Sequence, residues 1–204
     1  WGHTLADLPV WGKALNGLFM SVTARTAGFN TVDHASAADS SNFVTILLMS
    51  VGGSPGSTAG GLKTTTVAVI ALLALARLRG RPVTSVRFRT LPEETVQRAV
   101  GLAVVGFVVV TGAILLFSVV QLEPLGPAPH GSFLPYAFEV VSAFNTVGLS
   151  MGVTGELTVP GKLLTIVLMY VGRVGPLTVA AAIALADAGS RDGFRYAQED
   201  VIIG

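Results

Sequence analysis

Cysteine is absent from this sequence of 204 residues, histidine occurs three times, and charged residues make up only 12%. Without cysteine there is no disulfide framework, thiol nucleophile or cysteine-ligated zinc, and three scattered histidines do not form a metal cluster. Soluble domains carry roughly 25% charged residues, so a soluble enzyme is not expected. The net charge of +1 gives no general attraction to nucleic acid. No basic segment leads into a short apolar core near Trp1, so no targeting peptide is expected.

Long apolar runs are what the chain has instead, with 51% hydrophobic residues and a mean hydropathy of +0.67. Residues 99–122 and 163–186 are apolar stretches of 24 residues each, enough to cross about 30 Å of hydrocarbon as a helix. The sequence therefore predicts two membrane-spanning helices, the second with one charged residue, Arg173. Because the chain begins at Trp1 rather than Met, we expect it to be a piece of a longer membrane protein.

A third apolar stretch, residues 43–76, is predicted to be a broken helix. The spacing of Gly56 and Gly61 resembles a phosphate-binding loop, but Leu62 stands where that loop needs its lysine and no buried strand precedes it. The break is therefore either a flexible intramembrane loop that lines a cavity or a passive kink that allows close helix packing. Its residues are Gly52, Gly53, Ser54, Pro55, Gly56, Ser57, Thr58, Ala59, Gly60 and Gly61.

Arginine is concentrated in one connection, which predicts the orientation in the membrane. The connections at residues 31–41 and 121–132 contain no lysine or arginine, and basic residues favour the cytoplasmic side. We therefore expect the arginine-rich connection and the carboxy terminus to be cytoplasmic. Pro9–Thr23 and Phe133–Phe144 are too short to cross and are predicted to be re-entrant half-helices on the outer side. The arginines are Arg77, Arg79, Arg81, Arg87, Arg89 and Arg98.

An internal repeat organises the chain, because a shift of 120 residues aligns two copies of one unit without a gap. Each copy consists of a half-helix, a Thr-x-Gly turn and a spanning helix. The span at residues 99–122 precedes the second copy, whereas the corresponding span of the first copy would lie upstream of Trp1. The identical pairs are Thr26 and Thr146, Gly28 and Gly148, Thr45 and Thr165, Ile46 and Ile166, Leu48 and Leu168, Met49 and Met169, Val51 and Val171, Gly52 and Gly172, and Thr58 and Thr178.

The two Thr-x-Gly turns carry the candidate chemistry. Irregular backbone at membrane depth is tolerated where it is buried in protein or lines a water-filled path, and a permeating cation is a partner for its carbonyls. Glycine at the third position adopts φ > 0 without a Cβ clash, so consecutive carbonyls can point towards one axis and replace the hydration shell of potassium. A re-entrant turn with a glycine cap is the simpler alternative for one copy, but two copies in register favour an ion site.

Charged residues within the apolar segments have alternative interpretations. Arg173 aligns with Gly53 of the break, where it can bond loop carbonyls or repel ions, or it snorkels to the cytoplasmic interface. Lys63 lies nearer the cytoplasmic half, where snorkelling is easier. Glu139 either draws cations to the outer mouth or bonds backbone amides.

Four motifs stand out: RTAGFNT at 25–31, GGSPGSTAGGLKTTT at 52–66, SAFNTVGLS at 142–150 and GRVGPLT at 172–178. They closely resemble the KtrB potassium-transport subunits of the Trk/Ktr/HKT superfamily. The first motif is more similar to KtrB than to TrkH, and residues 199–204 are similar to the ending of that family. Together the motifs cover most of the chain.

The resemblance implies an all-α membrane fold of tandem membrane-pore-membrane repeats with re-entrant pore helices, similar to potassium channels. Four repeats would surround one pore, and this sequence would carry the third repeat without its first span (1–80), a cytoplasmic connection (81–98), the fourth repeat (99–188) and a cytoplasmic tail (189–204). The amino-terminal half, with repeats one and two, would be missing. Residues 52–61 would be a gating loop beneath the filter, and Arg173 would help to hold it. The filter residues would be Thr26, Ala27, Gly28, Phe29, Asn30, Asn145, Thr146, Val147, Gly148, Leu149 and Ser150.

By the same resemblance, the protein would be a channel-like subunit for potassium uptake in the plasma membrane, and not an enzyme. Members of the family work as homodimers on a cytosolic ring of RCK subunits, KtrA, which alone bind ATP or ADP, and sodium stimulates some of them. Residues 77–98 and 189–204 would face that ring. The alternative is a secondary transporter for another substrate with discontinuous helices. Inverted repeats would be expected there, whereas both copies here run from outside to inside.

Overall fold

The computed structural model describes residues 8–57, 59–81, 83–86, 89–121 and 133–175. Six α-helices dominate this part of the chain, as the sequence predicts, and a short antiparallel hairpin pairs Ser85 with Thr90 in the connection between two of them. The elements are α1 (Val10–Thr23), α2 (Asp39–Ser50), α3 (Thr64–Leu78), β1 (Ser85–Val86), β2 (Arg89–Thr90), α4 (Glu93–Val120), α5 (Phe133–Phe144), a 3₁₀ turn (Val153–Glu156) and α6 (Val159–Val174).

Helix α4 corresponds to the first predicted span. It has 28 residues with a mean hydropathy of 2.7 over its most apolar window, and among the described residues no other helix is both long and apolar enough to cross a membrane. It begins six residues before the predicted stretch, with Glu93 and Glu94 in its first turn. Acidic side chains in the first turn stabilise a helix through their interaction with the positive end of its dipole. The described part of the second predicted span is α6, and residues 176–186 lie outside the described ranges.

The predicted broken helix is confirmed: α2 ends at Ser50 and α3 begins at Thr64. The two ends of the break are held together by backbone hydrogen bonds from Gly52 N–H to Leu62 O (2.9 Å) and from Thr64 N–H to Gly53 O (3.1 Å). A Cβ on Gly52 would lie 2.5 Å from Leu62 O, so this closed neck requires glycine. The residues between the two ends therefore form a loop whose beginning and end lie next to each other.

The internal repeat is visible in matching structural details. Helices α2 and α6 begin at Asp39 and Val159, which are 120 residues apart. In each of these helices a threonine hydroxyl donates to the carbonyl four residues earlier at 2.9 Å, from Thr45 in α2 and from Thr165 in α6. The two units are thus built to one plan, as the sequence alignment predicts.

The core lies around α5, in which all ten residues from Pro135 to Phe144 are buried. This half-helix packs against α2, α4 and α6. The corresponding half-helix α1 buries only Gly12 and Thr23, and Trp11 is 69% exposed. The half-helix of the second unit is therefore buried, whereas the half-helix of the first unit is largely uncovered.

Candidate functional site

The two turns that follow α1 and α5 adopt the same unusual backbone conformation. Thr26 (φ 72°) and Thr146 (φ 53°) are the non-glycine residues with positive φ in the described chain, and Gly28 (φ 75°) and Gly148 (φ 90°) follow two positions later. A β-branched residue at positive φ is a strained outlier, and such strain is concentrated at functional sites. Left-handed residues at alternate positions turn the intervening peptide groups, so the two turns follow the same backbone path.

The turns lie directly against each other. A Cβ on Gly28 would lie 2.5 Å from the Val147 carbonyl oxygen, and a Cβ on Gly148 would lie 3.7 Å from the Gly28 Cα. The structure thus brings together two segments that are 120 residues apart in sequence. Because no side chain fits between Gly28 and Val147, the close approach of the two backbones depends on glycine at position 28.

The first turn is tied to its own half-helix through Thr23. The Thr23 hydroxyl donates to Phe29 O (2.5 Å) and accepts from Phe29 N–H (2.9 Å). The Phe29 carbonyl is therefore engaged by α1. Two further predicted filter residues of this turn, Ala27 and Asn30, are exposed.

The second turn is tied to α5 through Glu139. This side chain is 5% exposed, and it accepts hydrogen bonds from the hydroxyls of Ser150 (2.9 Å) and Thr154 (2.6 Å). The partners are hydroxyl groups rather than the backbone amides considered from the sequence, and the carboxylate is buried rather than open to an outer mouth. Asn145, Val147 and Leu149 are also buried, so this turn is more enclosed than the first.

The glycine-rich break contacts the beginning of the second turn. Gly60 N–H donates to the Thr146 hydroxyl (3.0 Å), and Gly61 N–H donates to Gly172 O (3.0 Å). A Cβ on Gly61 would lie 1.8 Å from the Asn145 side-chain oxygen. These contacts place the end of the loop against the point where α5 stops and the predicted filter strand starts. Thr58 lies outside the described residues.

Lys63, directly before α3, contacts the glycine-rich loop. Its ammonium group donates to the carbonyls of Ala59 and Ser57, the latter at 3.5 Å. A cation that bonds carbonyls of the loop holds the tip towards the neck. The sequence leaves snorkelling as one interpretation of Lys63, because its spacing from the span ends does not reveal a chain reversal.

Arg173 lies in the last turn of α6, which ends at Val174 before Gly175 (φ 95°). A cation in that position is favoured by the helix dipole. Its neighbour Gly172 carries the carbonyl that accepts from Gly61, and a Cβ on Gly172 would lie 1.7 Å from Phe144 O. Arg173 therefore adjoins the contact between the loop, α5 and α6.

Among the described residues no group of three or more histidine or acidic side chains forms a metal site. The features that remain are two half-helices ending in strained turns that meet, together with a loop that reaches one of these turns. With an apolar helix of membrane-spanning length, this arrangement is typical of a membrane transport protein.

Comparison with known proteins identifies the family. The sequence profile of the family described as "TrkH: Cation transport protein" matches residues 2–190. The chain belongs to this family of cation transporters, which confirms the resemblance and the prediction that the protein is not an enzyme.

Individual relatives agree with this assignment. The chain is 38% identical over 204 residues to the potassium/sodium uptake protein NtpJ of Enterococcus hirae, of which it covers 44%. It is 36% identical to the Ktr system potassium uptake protein B of Bacillus subtilis, with 98% of this chain and 43% of that protein covered. The crystal structure of the potassium transporter TrkH from Vibrio parahaemolyticus matches 92% of this chain and 40% of its own, with a TM-score of 0.75 and 22% identity. The chain thus spans less than half the length of these proteins.

Proposed function

We propose that this chain forms part of a potassium-selective pore, in which the turns at 26–30 and 146–150 are two of the strands that surround the ion. The observation that carries the proposal is the pair of adjoining turns with positive φ at Thr26, Gly28, Thr146 and Gly148. Carbonyls presented by such turns replace the hydration shell of a cation. The names of the relatives, potassium uptake proteins of the Ktr system and a potassium/sodium uptake protein, support potassium as the substrate, with sodium as a second ion.

Two turns do not enclose an ion, so the complete pore needs further strands. The chain covers 44% and 43% of its two relatives, which agrees with a missing amino-terminal half that carries the first two membrane-pore-membrane repeats. In this proposal the present chain supplies the third and fourth repeats of a multi-pass plasma membrane protein with a cytoplasmic carboxy terminus.

The loop at 52–61 is the proposed gate. Its contact with Thr146 through Gly60 supports an obstruction at the inner end of the fourth filter strand, and Lys63 and Arg173 flank that obstruction. A cytosolic ring of nucleotide-binding RCK subunits and a second copy of the protein complete the proposed assembly, with contacts along residues 77–98 and 189–204. The tail lies outside the described residues.

Potassium uptake by the complete parent protein tests this proposal. The protein is expressed in a bacterium deficient in potassium uptake, with and without a KtrA-type subunit, over a range of external potassium and sodium. Saturable uptake that depends on the partner is expected. Absence of rescue, with the protein shown to be in the membrane, would instead favour a secondary transporter for another substrate.

A further inference from the structure

Glu139 is a buried acid in the middle of the half-helix α5. Neither the family comparison nor the proposed pore assigns a role to it. A side chain that is 5% exposed and charged is costly unless hydrogen bonds compensate for its lost hydration. The compensation here comes from two hydroxyls, those of Ser150 and Thr154. Both belong to the segment that follows the second turn, so the carboxylate connects the half-helix to the outer end of that turn.

The three side chains form a closed cluster. The hydroxyl oxygens of Ser150 and Thr154 lie 2.9 Å apart, and the Ser150 oxygen also accepts from Gly152 N–H at 3.0 Å. Gly152 has a φ of 89°, so the chain reverses directly over the cluster. One carboxylate thereby fixes both Ser150, the last residue of the proposed filter strand, and the turn that leads away from it.

The first unit holds its turn in another way. At the position equivalent to Glu139 it has Phe19, which is 41% exposed, and at the position equivalent to Thr154 it has the buried His34. Its turn is held instead by the Thr23 hydroxyl, which bonds both backbone groups of Phe29. Each strand thus has a link to its half-helix, but only the link of the second unit uses an ionisable group.

We propose that Glu139 is a positioning residue for ion selection: through Ser150 and Thr154 it sets the path of the strand at 146–150 and does not itself contact the ion. This inference rests on the proposed function. A carboxylate is an acceptor for two hydroxyls at once, whereas the amide of glutamine offers one acceptor oxygen and two donor hydrogens. Glu139→Gln therefore keeps the shape of the side chain but removes its charge and leaves one oxygen, rather than two, as acceptor for the two hydroxyls.

Selectivity distinguishes positioning from simple attraction of cations. In the complete parent protein, Glu139→Gln is expected to lower the preference for potassium over sodium, measured as the ratio of their kcat/KM values for uptake, by about tenfold, since a charge-assisted hydrogen bond is lost. The matched control is Glu156→Gln, because Glu156 is an exposed acid in the neighbouring 3₁₀ turn. That control is expected to leave the ratio unchanged. Equal weakening of potassium and sodium uptake by Glu139→Gln would indicate attraction by charge and overturn the inference.

Two further variants keep the test decisive if Glu139→Gln does not reach the membrane. Thr154→Ser retains the hydroxyl and is expected to preserve selectivity, whereas Thr154→Val removes it and is expected to reduce selectivity. Equal selectivity in these two variants would contradict the inference. Failure of the unmodified protein to take up potassium would contradict the proposed function instead, so the two failures are distinguishable.

Discussion

At the scale of single residues, Gly28 and Gly148 occupy equivalent positions but different surroundings. Both have positive φ, and an L-residue there costs about 1–2 kcal/mol. A Cβ on Gly28 would in addition lie 2.5 Å from Val147 O, whereas among the described residues a Cβ on Gly148 would meet only the Gly28 Cα, at 3.7 Å. The repeat is therefore symmetric in conformation but not in packing.

This asymmetry predicts different results for the same substitution. Gly148→Ser is expected to reach the membrane and to lose about tenfold in preference for potassium over sodium, from roughly 1.4 kcal/mol of strain. Gly28→Ser is expected to be more severe, with reduced membrane levels as well. Competition uptake assays and quantification of the membrane protein measure both effects.

The control for these variants is Gly155→Ser, because a Cβ on Gly155 would meet no atom of the described part of the chain within 4 Å. It is expected to behave as the unmodified protein. Unchanged uptake and selectivity in both Gly28→Ser and Gly148→Ser would show that the turns do not bind the ion.

The sequence predicted these turns but not their supports. Repetition of Thr-x-Gly at a fixed offset is a local pattern, and it indicated that glycine would adopt positive φ. The left-handed conformation of the threonines was not predicted, because isolated β-branched residues disfavour it. The links from Thr23 to Phe29 and from Glu139 to Thr154 connect residues on different elements, so their pairing depends on packing that no spacing rule describes.

At the scale of elements, the glycine-rich loop is held at three places. Backbone hydrogen bonds close its neck at Gly52 and Leu62, Lys63 bonds carbonyls near its tip, and Gly60 contacts Thr146. A passive kink needs only the neck. The additional contacts favour a loop whose position matters for transport.

Deletion of residues 54–59 separates these two interpretations. The neck residues and Gly60 are retained, whereas the tip and the carbonyl of Ala59 that Lys63 bonds are removed. We expect higher potassium uptake in the absence of the regulatory subunit, measured as the initial rate of uptake in the complete protein. A variant with the same residues in reversed order keeps the length of the loop and serves as the control. A deletion variant that is inactive at a normal membrane level would favour the passive kink.

Element boundaries followed from the sequence where composition changes sharply. Both half-helices and the break in the third apolar stretch were predicted within one or two residues, because proline and glycine mark their ends. The hairpin Ser85–Thr90 was not predicted. Its strands have two residues each, too few for an alternating pattern to be recognised.

At the scale of the whole molecule, the first unit has an open groove. The corresponding place in the second unit is covered by helix α4. A cavity of about 540 Å³ lies between α1 and α2, bordered by Asn16 and Ala38 among others. The equivalent positions in the second unit are Tyr136 and Thr158. The Tyr136 ring packs at a tilt against Phe117 of α4, with ring centroids 5.8 Å apart, and the N–H and hydroxyl of Thr158 donate to Gln121 at the end of α4. A helix equivalent to α4 is therefore expected to cover the groove in the complete protein.

The absence of cysteine from this chain allows a direct test. In the complete parent protein, with any other cysteines replaced, Ser41→Cys places a thiol in the groove, and Ser36→Cys places one on the exposed connection before α2. We expect a membrane-impermeant maleimide to label Ser36→Cys rapidly and Ser41→Cys far more slowly. Equal labelling rates would show that the groove stays open to water.

Thr146 contributes its backbone to the proposed filter and its hydroxyl to the contact with Gly60. Ion binding to the filter and release of the loop both involve this residue, so the two equilibria are thermodynamically linked. If release of the loop changes the affinity of the filter for an ion, then binding of the ion changes the equilibrium constant for release of the loop by the same factor. An ion that favours the left-handed conformation of Thr146 is then an allosteric effector of the loop. In the proposed pore, the permeating cation would take part in regulating its own passage.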